Sequence, residues 1–278
     1  MESTVRSILG AHLQTHMLLG RALKILEHST LNEKFSIHQD EVLAEKEQPT
    51  INYVTIGNGG HKLAMTETGF YYTKSHVHKP EDFALFNHIP FVCRELDNDL
   101  DSNTRLKYRL RTIQKGQDGK TYVCYYARVL DLSQSDPVVN LVTIRDGVTS
   151  MLAFEPTLDN LSPIPTNLEV VGANTTTGDY LASNSITILE LNTEEINELL
   201  NACEIMYGDE HYAIISEVGI CTGVDRLVNG NFNGEQRKYT DVIACQLYSS
   251  SACFHDMPST RSKLELTINV GAVENLLV

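Results

Sequence analysis

The chain contains no tryptophan. Stacking on sugar rings recruits that residue first, so its absence counts against a carbohydrate-binding surface. No stretch approaches the roughly 18 unbroken apolar residues that a membrane span needs, and the chain is expected to be water-soluble. Residues 1–26 do not read as a secretory signal, because Glu2 stands at the start and Gln14, His16, Arg21 and Lys24 interrupt the apolar run. Basic residues are also in short supply. Against 36 Asp+Glu there are only 22 Lys+Arg, and the resulting formal net charge of -14 repels phosphate backbones and anionic lipid heads. Neither nucleic acid nor a membrane is therefore expected as a partner. The 6 cysteines, Cys93, Cys124, Cys203, Cys221, Cys245 and Cys253, form no CxxC and no recurrent spacing, so buried thiols in a reducing compartment are expected.

Signatures of chemistry are missing too. Gly57-Asn58-Gly59-Gly60 follows a strand-like run but matches neither a Walker loop nor a dinucleotide fingerprint, and is expected to be a tight turn between strands that tolerates positive φ. Asp97, Asp99 and Asp101 alternate as in the first half of a calcium loop. Ser102 replaces the glycine at the sixth position and Tyr108 the bidentate Glu at the twelfth, so the acids are expected to cap a short helix at 103–108. His12 and His16, and His76 and His78, have ligand-like spacing but no third partner nearby in sequence. There is no G-x-S-x-G elbow and no cysteine in a nucleophile's setting. No catalytic residue, cofactor or metal is expected, and the chain does not read as an enzyme. The dense basic cluster Arg94, Arg105, Arg109 and Arg111 is expected to pair with the chain's own acids or those of another subunit.

What is present is mostly strand. Val5, Ile8, Leu9, Leu13, Met17, Leu23 and Leu26 fall at helical spacing and predict a long N-terminal helix over residues 3–28. A polar connection with a short helix at 40–46 follows. From Thr50 the period changes to two: strands are predicted at 51–56, 105–114, 121–130, 185–191, 212–221, 239–248 and 264–270, with Asp118-Gly119 turning a hairpin. Pro80 and the acids after it predict a short helix, and Asn192-Thr193-Glu194-Glu195 opens a capped one over 193–206. Residues 131–182 carry Pro137, Pro156, Pro163 and Pro165 and predict a long irregular excursion. The expected fold is mainly β and β-sandwich-like, α+β by count. It divides into a helical segment at 1–48, a β-rich domain at 49–182 and a β-rich part at 183–278, the last two separate or joined.

Three segments carry a resemblance: Ile51 to His61, Leu85 to Arg94, and Ala213 to Cys221. Together they resemble tail fibre, collar and baseplate proteins of tailed bacteriophages, in which an early "IGxG" strand-turn precedes a proline-then-Arg segment and a late strand reads I-x-E-I/V-G-L/I. Cys221-Thr222-Gly223-Val224-Asp225 departs from the Phe-Asp-x-x-Gly turn of the fibres, and no fibre-like repeat is present. The resemblance thus implies a compact structural subunit in the tail, baseplate, neck or collar of a large contractile-tailed phage. Such a subunit would be made in the host cytoplasm, end in the virion, and be partnered by further copies or other virion proteins. It implies strand positions and transfers no site residue. Interface candidates read from the chain are Leu9, Leu13 and Met17 on the first helix and Leu276, Leu277 and Val278 at the end, since a Leu-Leu-Val terminus is expected to be tied down.

Two further readings compete. Tyr71, Tyr72, Tyr122, Tyr125 and Tyr126 suit a receptor- or carbohydrate-binding β-sandwich. A hydrolase would need Asp97, Asp99, Asp101 and His88 to converge in one concave pocket.

Overall fold

The computed structural model of the chain describes residues 3–133, 135–164, 176–232, 234–260 and 262–277. Strand outweighs helix, 49% to 19%, so the fold is mainly β with helices added, as the alternating patterns predict. In chain order the elements are β1 (Ser3–Arg6), α1 (Ile8–Leu18), α2 (Leu31–Phe35), β2 (Thr50–Gly57), β3 (His61–Met65), β4 (Tyr71–Ser75), β5 (His88–Ile89) and β6 (Val92–Glu95). After these come α3 (Ser102–Arg105), β7 (Tyr108–Lys115), β8 (Thr121–Val129), β9 (Val138–Arg145), β10 (Val148–Ala153), α4 (Leu158–Leu161), β11 (Thr176–Leu191) and α5 (Thr193–Tyr207). The chain closes with β12 (Ile214–Phe232), β13 (Glu235–Asp256), α6 (Met257–Thr260) and β14 (Leu264–Leu277).

Two compact units result: Met1–Leu130 with Leu191–Leu264, and Asp131–Glu190 with Glu265–Val278. This division differs from the expected cuts at 48 and 182. Local patterning marks elements, whereas a unit is set by which distant strands return to pair.

The larger unit is built on an 8-stranded sheet ordered β1-β13-β12-β2-β8-β6, with β5 added to β2 and β7 to β8. Its axis is the long β12–β13 hairpin, whose register shifts three times, between Ile215 and Glu217, Ile220 and Cys221, and Thr222 and Val224. Such bulges re-aim side chains, and here they bracket a buried Glu217. Tyr53 of β2, Leu110 of β7, Tyr126 of β8, Leu247 of β13, Leu31 of α2 and Ala202 of α5 meet in one core cluster. The capping-box helix expected at 193–206 forms as α5. Asn192 accepts from the Glu195 amide at 2.9 Å, the Glu195 carboxylate accepts from the Asn192 amide at 3.1 Å, and Gly208 closes the far end at φ 77. Its buried face is Ile196, Leu199, Leu200 and Cys203, and Glu198 is held by Arg94 of β6.

Several sequence expectations give way. The helix predicted over 3–28 covers only Ile8–Leu18; Ser3–Arg6 instead pairs with Ser249–Ala252 of β13. An open sheet edge satisfies that backbone, and Ser7 caps the helix that follows by accepting from the Gly10 amide at 3.2 Å. The short helix expected at 40–46 is absent, and its place is taken by α2, where Thr30 and Glu33 form a capping box. Pro80 opens turns rather than a helix: the Asp82 amide donates to the Lys79 carbonyl, the Lys79 amide to Asp82 Oδ2, and the Phe86 and Asn87 amides to the buried Glu217.

The smaller unit is a 4-stranded sheet ordered β10-β9-β11-β14. It occupies much of the stretch read as irregular. Asp146 and Gly147, at φ 50 and 78, turn the β9–β10 hairpin. Residues 165–175 of that stretch lie outside the described residues. Val142 is buried in this sheet, but β10 is an edge strand with every residue exposed.

Candidate functional site

The three segments that carry the phage resemblance converge on one carboxylate. Glu217 lies on β12 and is fully buried. Its Oε1 accepts from the Gly59 amide at 2.9 Å and the Asn87 amide at 3.0 Å; its Oε2 accepts from the Phe86 amide at 3.0 Å and meets His78 Nε2 at 2.7 Å. The Gly60 amide donates to the neighbouring Ser216 Oγ at 3.0 Å. One side chain thus fixes the glycine turn after β2, the 78–87 loop and β12 together. A buried carboxylate costs several kcal/mol to desolvate and persists only when its lone pairs are used this fully.

The glycines are needed for space. The expected turn between β2 and β3 is present, but none of Gly57, Gly59 and Gly60 uses a positive φ in it. A Cβ on Gly59 would sit 2.7 Å from Phe86 Cβ, and one on Gly60 would sit 2.5 Å from the Ser216 carbonyl oxygen.

His78 extends the network outward. Its Nδ1 lies 3.0 Å from Asp82 Oδ2, which also accepts from the Lys79 amide at 2.9 Å, and its ring stacks on Phe86 at 3.9 Å. Burial opposes a charge on this imidazole, yet its hydrogen bonds to the Glu217 and Asp82 carboxylates win and raise its pKa above the ordinary 6.5. His88 behaves oppositely: burial, with Lys34 and His78 adding repulsion, pulls it down to about 3. It stays neutral, and its Nε2 accepts from the Leu85 amide at 3.1 Å.

A second buried acid, Asp241 of β13, does the same work for β7. Leu110 sits at φ 54, a strained conformation for a side chain of its size, and its amide donates to Asp241 Oδ1 at 2.7 Å. The Arg111 amide at 3.2 Å and His38 Nε2 at 3.0 Å take the other oxygen.

Beside the Glu217 network lies a shallow cleft of about 390 Å³ lined by Asn58, His61, Asn87, Tyr207, His211 and Tyr212 among others. Most of its polar groups are engaged within the chain. Asn58 donates to the Tyr212 carbonyl at 2.8 Å, Asn87 to Asn58 at 2.6 Å, and His211 pairs with Asp209 at 2.7 Å.

The acids nominated from sequence do not form a cation site. Asp99 accepts from the Tyr125 hydroxyl at 2.7 Å and from Arg111 Nε at 3.0 Å, and Asp101 caps α3 through the Asn103 and Thr104 amides. Asp97 sits in a single exposed turn. His88 is spent on the Leu85 amide, so the four groups of the hydrolase reading face different partners. Among the described residues no cluster of three or more His, Cys, Asp or Glu could hold a metal ion. His12 and His16 contact each other edge to face at 4.5 Å. The arginines pair within the chain as expected: Arg111 with Asp99, and Arg109 with Asp225 at 2.7 Å.

The interface candidates separate. Leu9 and Leu13 are buried in the chain's own core beside β13 and are not available to a neighbour, which corrects their nomination as interface residues. Met17 is exposed, with Leu18 and Leu19 beyond it. Leu276 is half-buried on β14; Leu277 ends that strand, and Val278 lies outside the described residues. Sequence reasoning missed Glu217 and Asp241 as organising residues. A lone acid in an otherwise apolar strand, as in Ile214-Ile215-Ser216-Glu217-Val218, was the available signal.

A family model described as a family of unknown function (DUF7208) matches residues 1–278, and the chain belongs to that family. No curated protein and no solved structure matches it.

Proposed function

We propose that the protein is a non-catalytic structural subunit of a bacteriophage virion, placed in the tail, baseplate, neck or collar and acting through protein–protein interfaces. The observation that carries this reading is the apolar surface of the 4-stranded sheet. Val148 and Leu152 stand exposed on one face of β10 and Met151 on the other, with Ile186 and Ile188 exposed on β11, and this much open apolar surface favours a covering partner. The convergence of the three phage-like segments on Glu217 supports it further, since the motif then describes a structural joint rather than a reacting centre. Light scattering on the purified protein, alone and mixed with an extract of assembling phage particles, tests the proposal. Recruitment into megadalton particles is expected; a chain that ignores the particles overturns it.

A receptor- or carbohydrate-binding role is the second reading, and the cleft with Tyr207 and Tyr212, ring centroids 5.1 Å apart, favours it. Three of the five tyrosines that suggested it are spent elsewhere: Tyr122, Tyr125 and Tyr126 are buried, their hydroxyls donating to Asp118, Asp99 and Gln114, while Tyr72 stands exposed.

A further inference from the structure

All six cysteines are buried free thiols, and the sheet sets two of them side by side. Cys93 of β6 stands directly opposite Cys124 of β8, and their sulfurs lie 2.7 Å apart. That is nearer to the roughly 2 Å of a bonded pair than to an ordinary packing contact of about 4 Å. Residues opposite each other in an antiparallel pair have Cα atoms about 4.5–5.5 Å apart, inside the span of about 4.4–6.8 Å that a disulfide bridges. A bond between these two sulfurs therefore needs no movement of either strand. Cys221 of β12, by contrast, faces Leu247 of β13 rather than Cys245 or Cys253.

A third sulfur, Met206 Sδ of α5, lies 3.6 Å from Cys124 Sγ, so a shared soft metal ion is the competing arrangement. It fits the spacing poorly. Tetrahedral bonds of about 2.3 Å to one ion hold two sulfurs about 3.8 Å apart, and the two thiols are much closer than that. β6 is also the strand that a cross-link would secure most. It has 4 residues, pairs with β8 alone among the described strands, and carries Arg94, which holds Glu198 of α5. A bond from Cys93 to Cys124 fastens β6, and α5 through it, to the middle of the sheet. It closes a loop of about 30 residues, which removes freedom chiefly from the unfolded chain.

We infer that Cys93 and Cys124 are a disulfide site, held as two thiols in a reducing compartment and closed to a cross-strand bond when the chain meets a disulfide oxidant. Each thiol gives up a proton and an electron, and the two sulfurs join. The oxidant, a low-molecular-weight disulfide such as oxidised glutathione, takes both electrons and both protons as its own sulfur–sulfur bond breaks, and leaves as two thiols. Closure is slow. The contact with Cys124 and burial push the Cys93 thiol above its ordinary pKa, so the thiolate forms only when β6 parts from its neighbours. The bond does not depend on the assembly reading; a virion released from a reducing cytoplasm into oxidising surroundings supplies the occasion for it.

The test takes the full chain, purified under reductant and exchanged into oxidised glutathione at mildly alkaline pH, and counts free thiols by alkylation and intact mass. Trypsin leaves Cys93 in the peptide 75–94 and Cys124 in the peptide 121–128, each with no other cysteine. Alkylable thiols are expected to fall from six to four over hours, with these two peptides joined until reductant is added. The oxidised chain is expected to unfold at a urea concentration about 1 M higher than the reduced chain. Cys93→Ala is expected to keep its remaining five thiols and to show no such rise; the wild-type mapping decides the matter even where that variant folds poorly. Six thiols after a day in the oxidant, a bond mapped between any other pair, or glutathione carried on Cys93 or Cys124 without a bond between them would each overturn the proposal. These results are read on the isolated chain, so they and the entry of the chain into particles stand or fall separately.

Discussion

Glu217 and His78 show how much one buried polar contact can decide. Glu217→Gln keeps the size of the side chain but turns one of two accepting oxygens into a donor, which then faces the backbone amides of Gly59 and Asn87 or of Phe86. A destabilisation of about 3 kcal/mol is expected, read as a lower denaturant midpoint at unchanged slope. The pair of histidines makes stability depend on pH in opposite senses. His78, whose folded pKa is raised, stabilises fully below its unfolded value of 6.5, and that contribution is lost as pH climbs through the raised folded value. His88, held at about 3, stabilises above 6.5, and its contribution is lost as pH falls from 6.5 toward 3. Accordingly, His78→Gln is expected to lower stability near neutrality and to remove part of its decline on the alkaline side. An unchanged alkaline slope in denaturant titrations would show that the imidazole does not hold its charge there.

Elements with complete local signals were the legible ones. α5 displays its cap, apolar face and closing glycine between Asn192 and Gly208, and both ends form where expected. Asn192→Ala is expected to cost about 1 kcal/mol, and a thermal midpoint unchanged within error would contradict the role given to the cap. The β7–β8 hairpin was legible for the same reason, through Asp118-Gly119. The β9–β10 hairpin carried an equally good signal in Asp146-Gly147 between β-branched runs, masked by the prolines around it. By contrast, nothing local says that Ser3–Arg6 leaves the helical pattern. Its strand exists because β13 offers an unpaired edge more than 240 residues away in sequence, as the Thr4 to Ser251 hydroxyl contact shows, |i−j| 247. The spacing of Asp97, Asp99 and Asp101 resembles half a calcium loop, but spacing cannot show that Arg111 and Tyr125, on two other strands, already occupy Asp99.

For the whole molecule, the acidic surplus and the exposed apolar sheet point in one direction. Most of the net charge of -14 falls in the smaller unit, whose 4-stranded sheet also leaves apolar side chains open. Where the carboxylates lie was readable from sequence as soon as the smaller unit was known, but the unit itself was not, because it is assembled from an internal stretch and the chain's last strand. Of the polar residues that the sequence singles out for chemistry, Asp99, Asp101, His78 and His88 are engaged by groups of the chain itself. The most direct test of the virion proposal is mass spectrometry of density-gradient-purified virions from a phage that encodes this chain. The account predicts its peptides at a fixed stoichiometry to the other tail or neck proteins, surviving a high-salt wash; their absence from purified particles, with the protein abundant in the infected-cell extract, would contradict it.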